Sequence, residues 1–322
     1  MGNAIQYRAA GGPEVLELVE LPDAEPGPGE VAIDVTGVGV NFIEIYQRTG
    51  VYPVPFPYTP GGEGAGVISA LGPDVTTFKI GDRVAWPGIP RSYASRVVGP
   101  ADKLLAVPGG LSDEQAAALP LQGLTAHYLA TSTYPIQAGD TVLVHAGAGG
   151  VGLLLTQIAK IKGARVITTV STGDKAELSR EAGADEVIVG YTGFAERARE
   201  LTDGAGLPVV YDSVGKDTFD DSLAAVRRRG ILVLFGASSG AVPAVDPQRL
   251  NDAGSVFLTR PKLGDHTVTR SELLERSAEL FGWVRDGRLK VRIGGTYPLA
   301  EAAQAQADLA ARKTTGKLIL IP

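Results

Sequence analysis

The sequence predicts an α/β protein in which a doubly wound parallel sheet is accompanied by a second, β-rich module that is discontinuous along the chain. Between residues 141 and 260, short apolar runs alternate with helical stretches, which is typical of a parallel sheet with crossover helices. The first hundred residues instead hold strand-sized runs bounded by Gly and Pro. The chain finishes with one more strand, KLILIP at 317–322, which we expect to pair with that first module.

Local patterns place the individual elements. Ser112 and Gln115 fit a capping box at the start of an alanine-rich helix, where the composition of the chain changes. Further helices are predicted over 271–285 and 301–311. The strand candidates of the first module are 30–40, 65–72, 81–88 and 92–99. Those of the parallel sheet are Thr141–His145, Arg165–Val170, Glu186–Val189, Val209–Tyr211, Ile231–Phe235 and Ser255–Thr259.

A glycine cluster marks the main candidate site. His145–Gly152 reads HAGAGGVG, in which Gly147, Gly149 and Gly152 spell G-x-G-x-x-G. A strand precedes the motif, and apolar residues recur after it at helical spacing until Gly163. This complete βαβ unit favours a dinucleotide site of the Rossmann type over a plain glycine-rich turn. There the first glycine makes the tight turn, the second admits a pyrophosphate, the third allows close packing, and the helix N-terminus faces the phosphates.

The end of the next strand favours NADPH over NADH. An NAD site usually carries Asp or Glu about 20 residues past the loop, whereas this chain has Ser171 in that place. Lys175 and Arg180 follow, and a hydroxyl with a lysine suits a 2′-phosphate dianion. The one nearby acid, Asp174, is interpreted as the N-cap of the next helix.

Composition excludes several classes of function. The 322 residues include no cysteine and three histidines, without an HxH or HExxH spacing, so a protein-built metal site is not expected. The net charge of −6 argues against nucleic-acid binding. No secretory signal is visible at the start, and the apolar window 141–161 is interrupted by glycines and polar residues, so we expect a cytoplasmic protein without a membrane span.

The stretch GDTVLVHAGAGGVGLLLTQIAK (139–160) resembles the signature of the quinone oxidoreductase/zeta-crystallin branch of the medium-chain dehydrogenase/reductase superfamily. The resemblance runs along the whole chain and implies a GroES-like catalytic domain over 1–123 and 264–322 and a Rossmann domain over 124–263. It also implies a homodimer joined through the edge strand at 254–261. The other matching pieces are GGPEVLE (11–17), GVNFIEIYQRTGVYP (39–53), YDSVG (211–215), FGASSG (235–240) and TRP (259–261).

The resemblance also bears on metal. Zinc alcohol dehydrogenases of this superfamily carry G-H-E where this chain reads Gly61-Gly62-Glu63, with glycine in the place of histidine. Their cysteine ligands and cysteine-rich lobe are absent from this sequence as well. Without a Lewis acid, alcohol oxidation is disfavoured. Substrates must then accept hydride unaided, which suits quinones and activated alkenes.

Roles for individual side chains follow from the resemblance. It places Asn41, Tyr46 and Tyr52 around the nicotinamide and the acceptor, where a tyrosine hydroxyl could hydrogen-bond a developing oxyanion or pass a proton. The alternative is that both tyrosines only form the pocket wall. The residues expected to hold the cofactor are Thr125, Gly147, Gly149, Gly150, Val151, Gly152, Ser171, Lys175, Tyr191, Ser213, Phe235, Gly236, Ser238 and Lys317.

Some of these positions have plainer interpretations. Ser213 or Asp212 could only cap a helix, and Phe235 could only be core. His145 is interpreted as structural because no carboxylate or second histidine is spaced to partner it. Arg227–Arg229 is interpreted as the solvated end of a helix before Gly230.

The function expected from these observations is that of a zinc-independent NADPH:quinone oxidoreductase. Two alternatives stay open. One is an NADPH-dependent reductase of α,β-unsaturated ketones, aldehydes or acyl thioesters. The other is a non-catalytic NADPH-binding protein with a structural or RNA-binding role, which the acidic balance disfavours.

Overall fold

A computed structural model describes all of residues 1–322. The strands are β1 (Gly2–Gln6), β2 (Glu17–Leu21), β3 (Glu30–Val40), β4 (Gly64–Leu71), β5 (Arg83–Trp86), β6 (Arg96–Pro100), β7 (Leu105–Ala106), β8 (Thr141–Val144), β9 (Arg165–Val170), β10 (Glu186–Val189), β11 (Leu207–Asp212), β12 (Val226–Leu234), β13 (Phe257–Thr259), β14 (Ile293–Pro298) and β15 (Lys317–Ile321). The helices are α1 (Phe42–Arg48), α2 (Asp113–Ala118), α3 (Pro120–Tyr128), α4 (Gly150–Ile161), α5 (Gly173–Glu181), α6 (Phe194–Glu200), α7 (Phe219–Ala225), α8 (Gln248–Asp252), α9 (Arg270–Arg285) and α10 (Ala302–Ala310). No helix in the structure combines the length and the apolar character that a membrane-spanning segment requires.

The chain divides into two units. The first consists of Met1–Leu124, Val268–Arg285 and Val291–Pro322, and the second of Thr125–Thr267 and Asp286–Lys290. Each unit has its own large sheet and its own buried apolar cluster, and the first unit also contains the two-stranded sheet of β1 and β2.

The first unit contains a seven-stranded sheet with the order β14-β15-β3-β4-β5-β7, in which β6 also pairs with β3. β15 pairs antiparallel with β3, so that Leu318 lies opposite Val40. The expected return of the terminal strand to the N-terminal module is therefore confirmed. Val31, Ile33 and Leu320 are among the fully buried side chains that form its core.

The second unit contains a six-stranded sheet, every pair of which is parallel, with the order β10-β9-β8-β11-β12-β13. The chain winds outward from β8 in one direction and then, from β11, in the other. The two central strands β8 and β11 thus flank the topological switch point, where ligands of such sheets bind beyond the carboxyl ends of the strands. The predicted doubly wound sheet is confirmed.

Arg227–Arg229 do not end a helix, so that prediction is wrong. α7 ends at Ala225 because Val226 is already extended, and the three arginines lie exposed at the start of β12. The register of β11 against β12 shifts between Leu207 and Val209, and Arg229 adopts a left-handed φ of 59°. The three consecutive arginines hide the alternation that is typical of a strand, and this irregular strand start therefore resembles a helix end in the sequence.

Asp174 was predicted to cap α5, and this is also wrong. Thr172 is the N-cap of α5, and Asp174 lies exposed in the first helical turn. An acid in that place still interacts favourably with the helix dipole.

Candidate functional site

The glycine loop connects β8 to α4. Gly147 and Ala148 form the predicted turn, which the Gly149 N–H closes by donating to the Ala146 carbonyl at 2.8 Å. The left-handed backbone conformation falls on Ala146, with φ of 52°, so Gly147 is not needed for a positive φ. Gly147 is instead required by packing, because a Cβ there would lie 2.6 Å from Ser179 Oγ and 2.7 Å from Thr168 Cβ. A Cβ on Gly152 would lie 2.2 Å from the Ala146 carbonyl oxygen. The third glycine thus allows the close approach that the motif predicts.

The middle of the loop has more room. A Cβ on Gly149 would meet only Ala146, its carbonyl oxygen at 3.2 Å. Gly149 is the N-cap of α4, and the first hydrogen bond of that turn runs from Leu153 N–H to the Gly149 carbonyl. The N–H groups of Gly150, Val151 and Gly152 precede that bond and have no partner inside the helix. The loop therefore offers bare backbone and a helix N-terminus, which fit a pyrophosphate.

Residues expected around the adenosine phosphate follow the two neighbouring strands. Ser171 is exposed directly after β9, Lys175 lies half-buried in the first turn of α5, and Tyr191 lies half-buried after β10. The structure thus brings all three to the carboxyl ends of adjacent parallel strands. β9 itself ends in Val170, without a carboxylate at its tip.

The turns after β11 and β12 pack on each other. The Ser238 N–H donates to the Ser213 carbonyl at 3.1 Å, and a Cβ on Gly236 would lie 2.6 Å from that same oxygen. Phe235 is half-buried rather than a core residue. Thr125 lies in α3 with 9% of its surface exposed.

His145 is fully buried in a polar network. Its Nδ1 lies 2.6 Å from Thr169 Oγ1 and its Nε2 lies 2.9 Å from Ser222 Oγ. Ser222 in turn donates to Asp212 Oδ2 at 2.7 Å. A carboxylate does reach His145 through one hydroxyl, so the expectation that none partners it is wrong. No local pattern signals this contact, because Asp212 and Ser222 are remote from His145 along the chain.

The first unit holds a second buried polar cluster, around Asn41. Lys317 Nζ donates to Asn41 Oδ1 at 2.6 Å and to Glu63 Oε2 at 2.5 Å. Asn41 Nδ2 donates to Glu63 Oε2 at 3.0 Å and to the Gly39 carbonyl at 3.2 Å. Glu63 Oε1 accepts from the Leu121 N–H at 2.6 Å. The side chains of Glu63, Lys317 and Asn41 are all buried, and Asn41 has 3% of its surface exposed.

This cluster changes the interpretation of Asn41 and Lys317. Both hydrogens of the Asn41 amide are used inside the first unit, and the Lys317 ammonium is bonded to two of its neighbours. No local sequence pattern connects Glu63 to either residue. The available signal was a lysine at the head of an otherwise apolar strand, which needs a buried acid if it faces inward.

Glu44 is a further residue that the sequence analysis missed. Its Oε2 accepts from the Asn41 N–H at 2.5 Å, at the N-terminus of α1. Its Oε1 is buried without a hydrogen-bond partner. Burial raises the pKa of Glu44 from 4.5 to about 8, against the lowering effect of the nearby Lys317. The spacing N-x-x-E of Asn41 and Glu44 was the signal that could have revealed this contact.

The two candidate tyrosines lie side by side. The rings of Tyr46 and Tyr52 meet edge to face with centroids 5.3 Å apart, and the Tyr52 N–H donates to the Tyr46 carbonyl at 3.0 Å. Tyr46 is half-buried, whereas 40% of the Tyr52 surface is exposed. The Tyr52 side chain is therefore open to a ligand while its ring is held in place.

Comparison with known proteins adds the family context. A model of the alcohol dehydrogenase GroES-like domain matches residues 27–133, and a zinc-binding dehydrogenase model matches residues 150–276. A quinone oxidoreductase of Pseudomonas aeruginosa is 47% identical over 325 aligned residues that span 100% of both chains. A 2-haloacrylate reductase of a Burkholderia species is 42% identical, over 97% of this chain and 96% of that protein. A mycobacterial protein solved in complex with NADPH superposes with a TM-score of 0.97, at 51% identity and 100% coverage of both chains.

Proposed function

Because the chain belongs to the quinone oxidoreductase branch of the medium-chain dehydrogenase/reductase superfamily, we propose that it is a zinc-independent NADPH:quinone oxidoreductase. The observation that carries the proposal is the glycine loop. It opens α4 at the switch point of a doubly wound sheet, and Ser171 and Lys175 follow the neighbouring strand. A hydroxyl and an ammonium there suit a 2′-phosphate, and no carboxylate at the tip of β9 repels it.

The proposed cofactor site uses backbone for the pyrophosphate and side chains for the rest. Gly150 and Val151 would hold the pyrophosphate on their N–H groups. Gly149, whose N–H donates to the Ala146 carbonyl at 2.8 Å, would let the pyrophosphate approach its backbone. Lys175 would pair with the 2′-phosphate as a point charge. The further side chains and turns proposed to line the site are Thr125, Gly147, Gly152, Ser171, Tyr191, Ser213, Phe235, Gly236 and Ser238.

NADPH supplies a hydride when bound, and quinone plus hydride plus one proton gives hydroquinone. The protein then has to orient the acceptor and stabilise the oxyanion that develops on it. Tyr52 is the proposed donor, because it is the more exposed of the two tyrosines, and Tyr46 is proposed to fix its ring. Asn41 and Lys317 are proposed to act by shaping the fold around the site, because their polar atoms are bonded within the first unit.

Domain roles and assembly complete the proposal. Residues 1–123 and 264–322 would form the GroES-like substrate domain, and residues 124–263 the Rossmann domain.

We further propose a homodimer through residues 254–261. β13 is the edge strand of the parallel sheet, and Phe257 on it has 64% of its surface exposed. An apolar edge of this kind is a liability unless another chain covers it. A cytoplasmic location fits the acidic charge balance and the absence of cysteine.

A second candidate function is reduction of activated alkenes. It is favoured by the 42% identity to the Burkholderia 2-haloacrylate reductase over nearly the whole of both chains. An activated alkene resembles a quinone in that a conjugated carbonyl or carboxyl group spreads the charge of the incoming hydride. Tyr52 would again donate a hydrogen bond to the oxyanion that develops on the acceptor.

The deciding experiment is a substrate panel with both nicotinamide cofactors, followed through the absorbance of the reduced cofactor. We expect NADPH oxidation with 1,4-benzoquinone and with 9,10-phenanthrenequinone, unchanged by a chelator. Turnover of 2-chloroacrylate or an enone but of no quinone would move the assignment to the second function. NADPH binding without turnover of either class would favour a non-catalytic role.

Tyr52→Phe should lower kcat with the quinone, with Tyr58→Phe as a matched control.

A further inference from the structure

Five buried polar side chains form a continuous network in the second unit. Thr169, His145 and Asp212 come from the carboxyl ends of β9, β8 and β11, three neighbours in the sheet. Thr218 is the N-cap of α7, and Ser222 lies within that helix. Each of the five has at most 1% of its surface exposed.

The donors and acceptors of this network fix its protons. Asp212 Oδ2 accepts from Ser222 Oγ at 2.7 Å and from Thr218 Oγ1 at 2.8 Å, while its Oδ1 accepts from two backbone N–H groups, as a carboxylate does. Ser222 spends its one hydrogen on Asp212 and so must accept from Nε2–H of His145. His145 Nδ1 is then the acceptor for the Thr169 hydroxyl at 2.6 Å. One neutral tautomer of His145 satisfies every atom.

The surroundings of His145 maintain that neutral state. Burial lowers the pKa of His145 to about 4, against the raising effect of the Asp212 carboxylate. The ring of Phe194 packs edge-on with centroids 4.7 Å apart, and Tyr191 lies at 6.1 Å. Asp212 and Tyr191 are the titratable groups that face the imidazole. Protonated His145 would therefore be buried among apolar groups, and the one nearby carboxylate, Asp212, reaches it only through the Ser222 hydroxyl.

The network is attached to three loops at the ligand-binding edge of the sheet. His145 leads directly into Ala146 and the glycine loop. Thr169 lies two residues before Ser171. Asp212 Oδ1 accepts from the Val214 and Gly215 N–H groups at 2.8 and 2.9 Å, which fixes the turn that contains Ser213.

We propose that the chain Thr169–His145–Ser222–Asp212 is a positioning network that sets the spacing of these three loops for the dinucleotide. It rests on the NADPH function proposed above. The three loops leave three different strands. Past the end of β8, backbone hydrogen bonds run from the His145 N–H to the Tyr211 carbonyl and from the Gly147 N–H to the Thr169 carbonyl, each at 3.0 Å. Rigidity beyond these bonds has to come from side chains. A buried chain of matched hydrogen bonds supplies that rigidity, and binding affinity then depends on it because a preformed site loses less conformational entropy.

The tautomer can be read directly. Because the chain has three histidines, His127, His145 and His266, the imidazole nitrogens can be resolved in a long-range ¹H–¹⁵N spectrum of ¹⁵N-labelled protein. We expect one histidine to remain the neutral Nε2–H tautomer from pH 8 to below pH 5, and to be absent from His145→Gln. An Nδ1–H tautomer, or titration of His145 near pH 6.5, would overturn the network as drawn.

Variants test what the network does. Thr169→Val leaves Nδ1 of His145 without its donor, whereas Thr169→Ser retains the hydroxyl. We expect Thr169→Val to raise the Kd and the KM for NADPH by roughly 3- to 10-fold with little change in kcat, and Thr169→Ser to restore both. Ser277→Ala is the matched control, because Ser277 is a buried serine of α9 that donates to the Leu274 carbonyl in the other unit.

The outcomes separate the two proposals. If the wild type does not bind NADPH, the proposed function fails and the positioning role fails with it. If the wild type binds and Thr169→Val binds equally well, the cofactor assignment stands and the positioning role is wrong. Should Thr169→Val fold too poorly to measure, Ser222→Ala removes the link at the other side of His145 and is held to the same criteria.

Discussion

Lys317 and Glu63 form a buried ion pair across 254 residues of sequence, with Nζ and Oε2 2.5 Å apart and with 2% and 0% of the two side chains exposed. The pair joins the first residue of β15 to the segment that precedes β4. Asn41 bonds to both partners, so three remote parts of the chain meet at one point. The backbone also leaves space for it, because a Cβ on Gly39 would lie 2.2 Å from Glu63 Oε2.

Breaking this pair from one side should strongly destabilise the protein. Lys317→Met leaves the Glu63 carboxylate buried without its cation, and we expect a loss of about 3–5 kcal/mol in the free energy of unfolding. Urea unfolding followed by circular dichroism measures this. Arg180→Ala, which removes the exposed pair with Glu177, is the control and should cost less than about 1 kcal/mol. Equal effects of the two variants would contradict the importance of the buried pair.

Lys175 should decide between the two nicotinamide cofactors. Lys175→Ala removes the cation proposed for the 2′-phosphate, so we expect the Kd for NADPH to rise about tenfold or more while the Kd for NADH changes little. Fluorescence titration of the reduced cofactors provides the measurement. Lys162→Ala, at the far end of α4 from the glycine loop, serves as the control. A parallel loss of affinity for both cofactors would refute the phosphate role.

Replacing the loop glycines by alanine should change stability and NADPH binding differently at different positions. Gly152→Ala forces a Cβ against the Ala146 carbonyl oxygen at 2.2 Å, so we expect both stability and NADPH binding to fall. Gly149→Ala meets that oxygen at 3.2 Å, so the fold should tolerate it while the added methyl obstructs the pyrophosphate. Thermal unfolding and NADPH titration separate the two effects.

A control for these substitutions is Gly282→Ala in α9, where a Cβ meets nothing within 4 Å. It should stabilise the protein by about 0.5–1 kcal/mol and leave NADPH affinity unchanged. Tight NADPH binding by Gly149→Ala would be evidence against the proposed position of the pyrophosphate.

Glu44 should make stability depend on pH. Burial raises the pKa of Glu44 from 4.5 to about 8, so the folded protein binds more protons than the unfolded chain between these values. Its contribution is therefore fully present below pH 4.5 and is lost as the pH rises through 8, by roughly 3 kcal/mol between pH 5 and pH 8. His145 acts in the opposite sense, because its lowered pKa of about 4 costs stability as the pH falls below 6.5.

Glu44→Gln isolates the effect of this one residue, because glutamine resembles the neutral acid and does not titrate. The difference in unfolding free energy between the wild type and Glu44→Gln should shift by roughly 3 kcal/mol in favour of the variant from pH 5 to pH 8. Urea titrations at several pH values measure it. A difference that is constant with pH would show that Glu44 does not change its charge in this range.

The proposed dimer can be tested at its edge strand. Phe257→Asp places a charge on the exposed edge of β13, and we expect it to shift the sedimentation of the protein from dimer to monomer. Val268→Asp changes an equally exposed apolar residue outside the predicted interface and should leave the assembly intact. A wild type that sediments as a monomer would contradict the dimer proposal itself.

The sequence predicted elements well where neighbouring residues carry the signal. The bounds of β9 and β10 agree with the predicted 165–170 and 186–189, and the capping box of Ser112 and Gln115 is present at α2. In these cases the apolar run and the flanking turn residues suffice to define the element. Arg227–Arg229 were misassigned because a strand that starts in an irregular register lacks that local pattern.

The features of the candidate site also fall into two groups, those that neighbouring residues predict and those that depend on contacts between distant residues. From the sequence alone came the glycine motif, its place between a strand and a helix, and the lack of an acid where NAD sites have one, because each is a relation between residues close along the chain. Only the tertiary structure decided that Ala146 carries the left-handed turn, that Asp212 reaches His145 through Ser222, and that Lys317 neutralises Glu63 beside Asn41. Those contacts exist because distant strands pair in one register, and buried polar groups must find partners among whatever that pairing brings together.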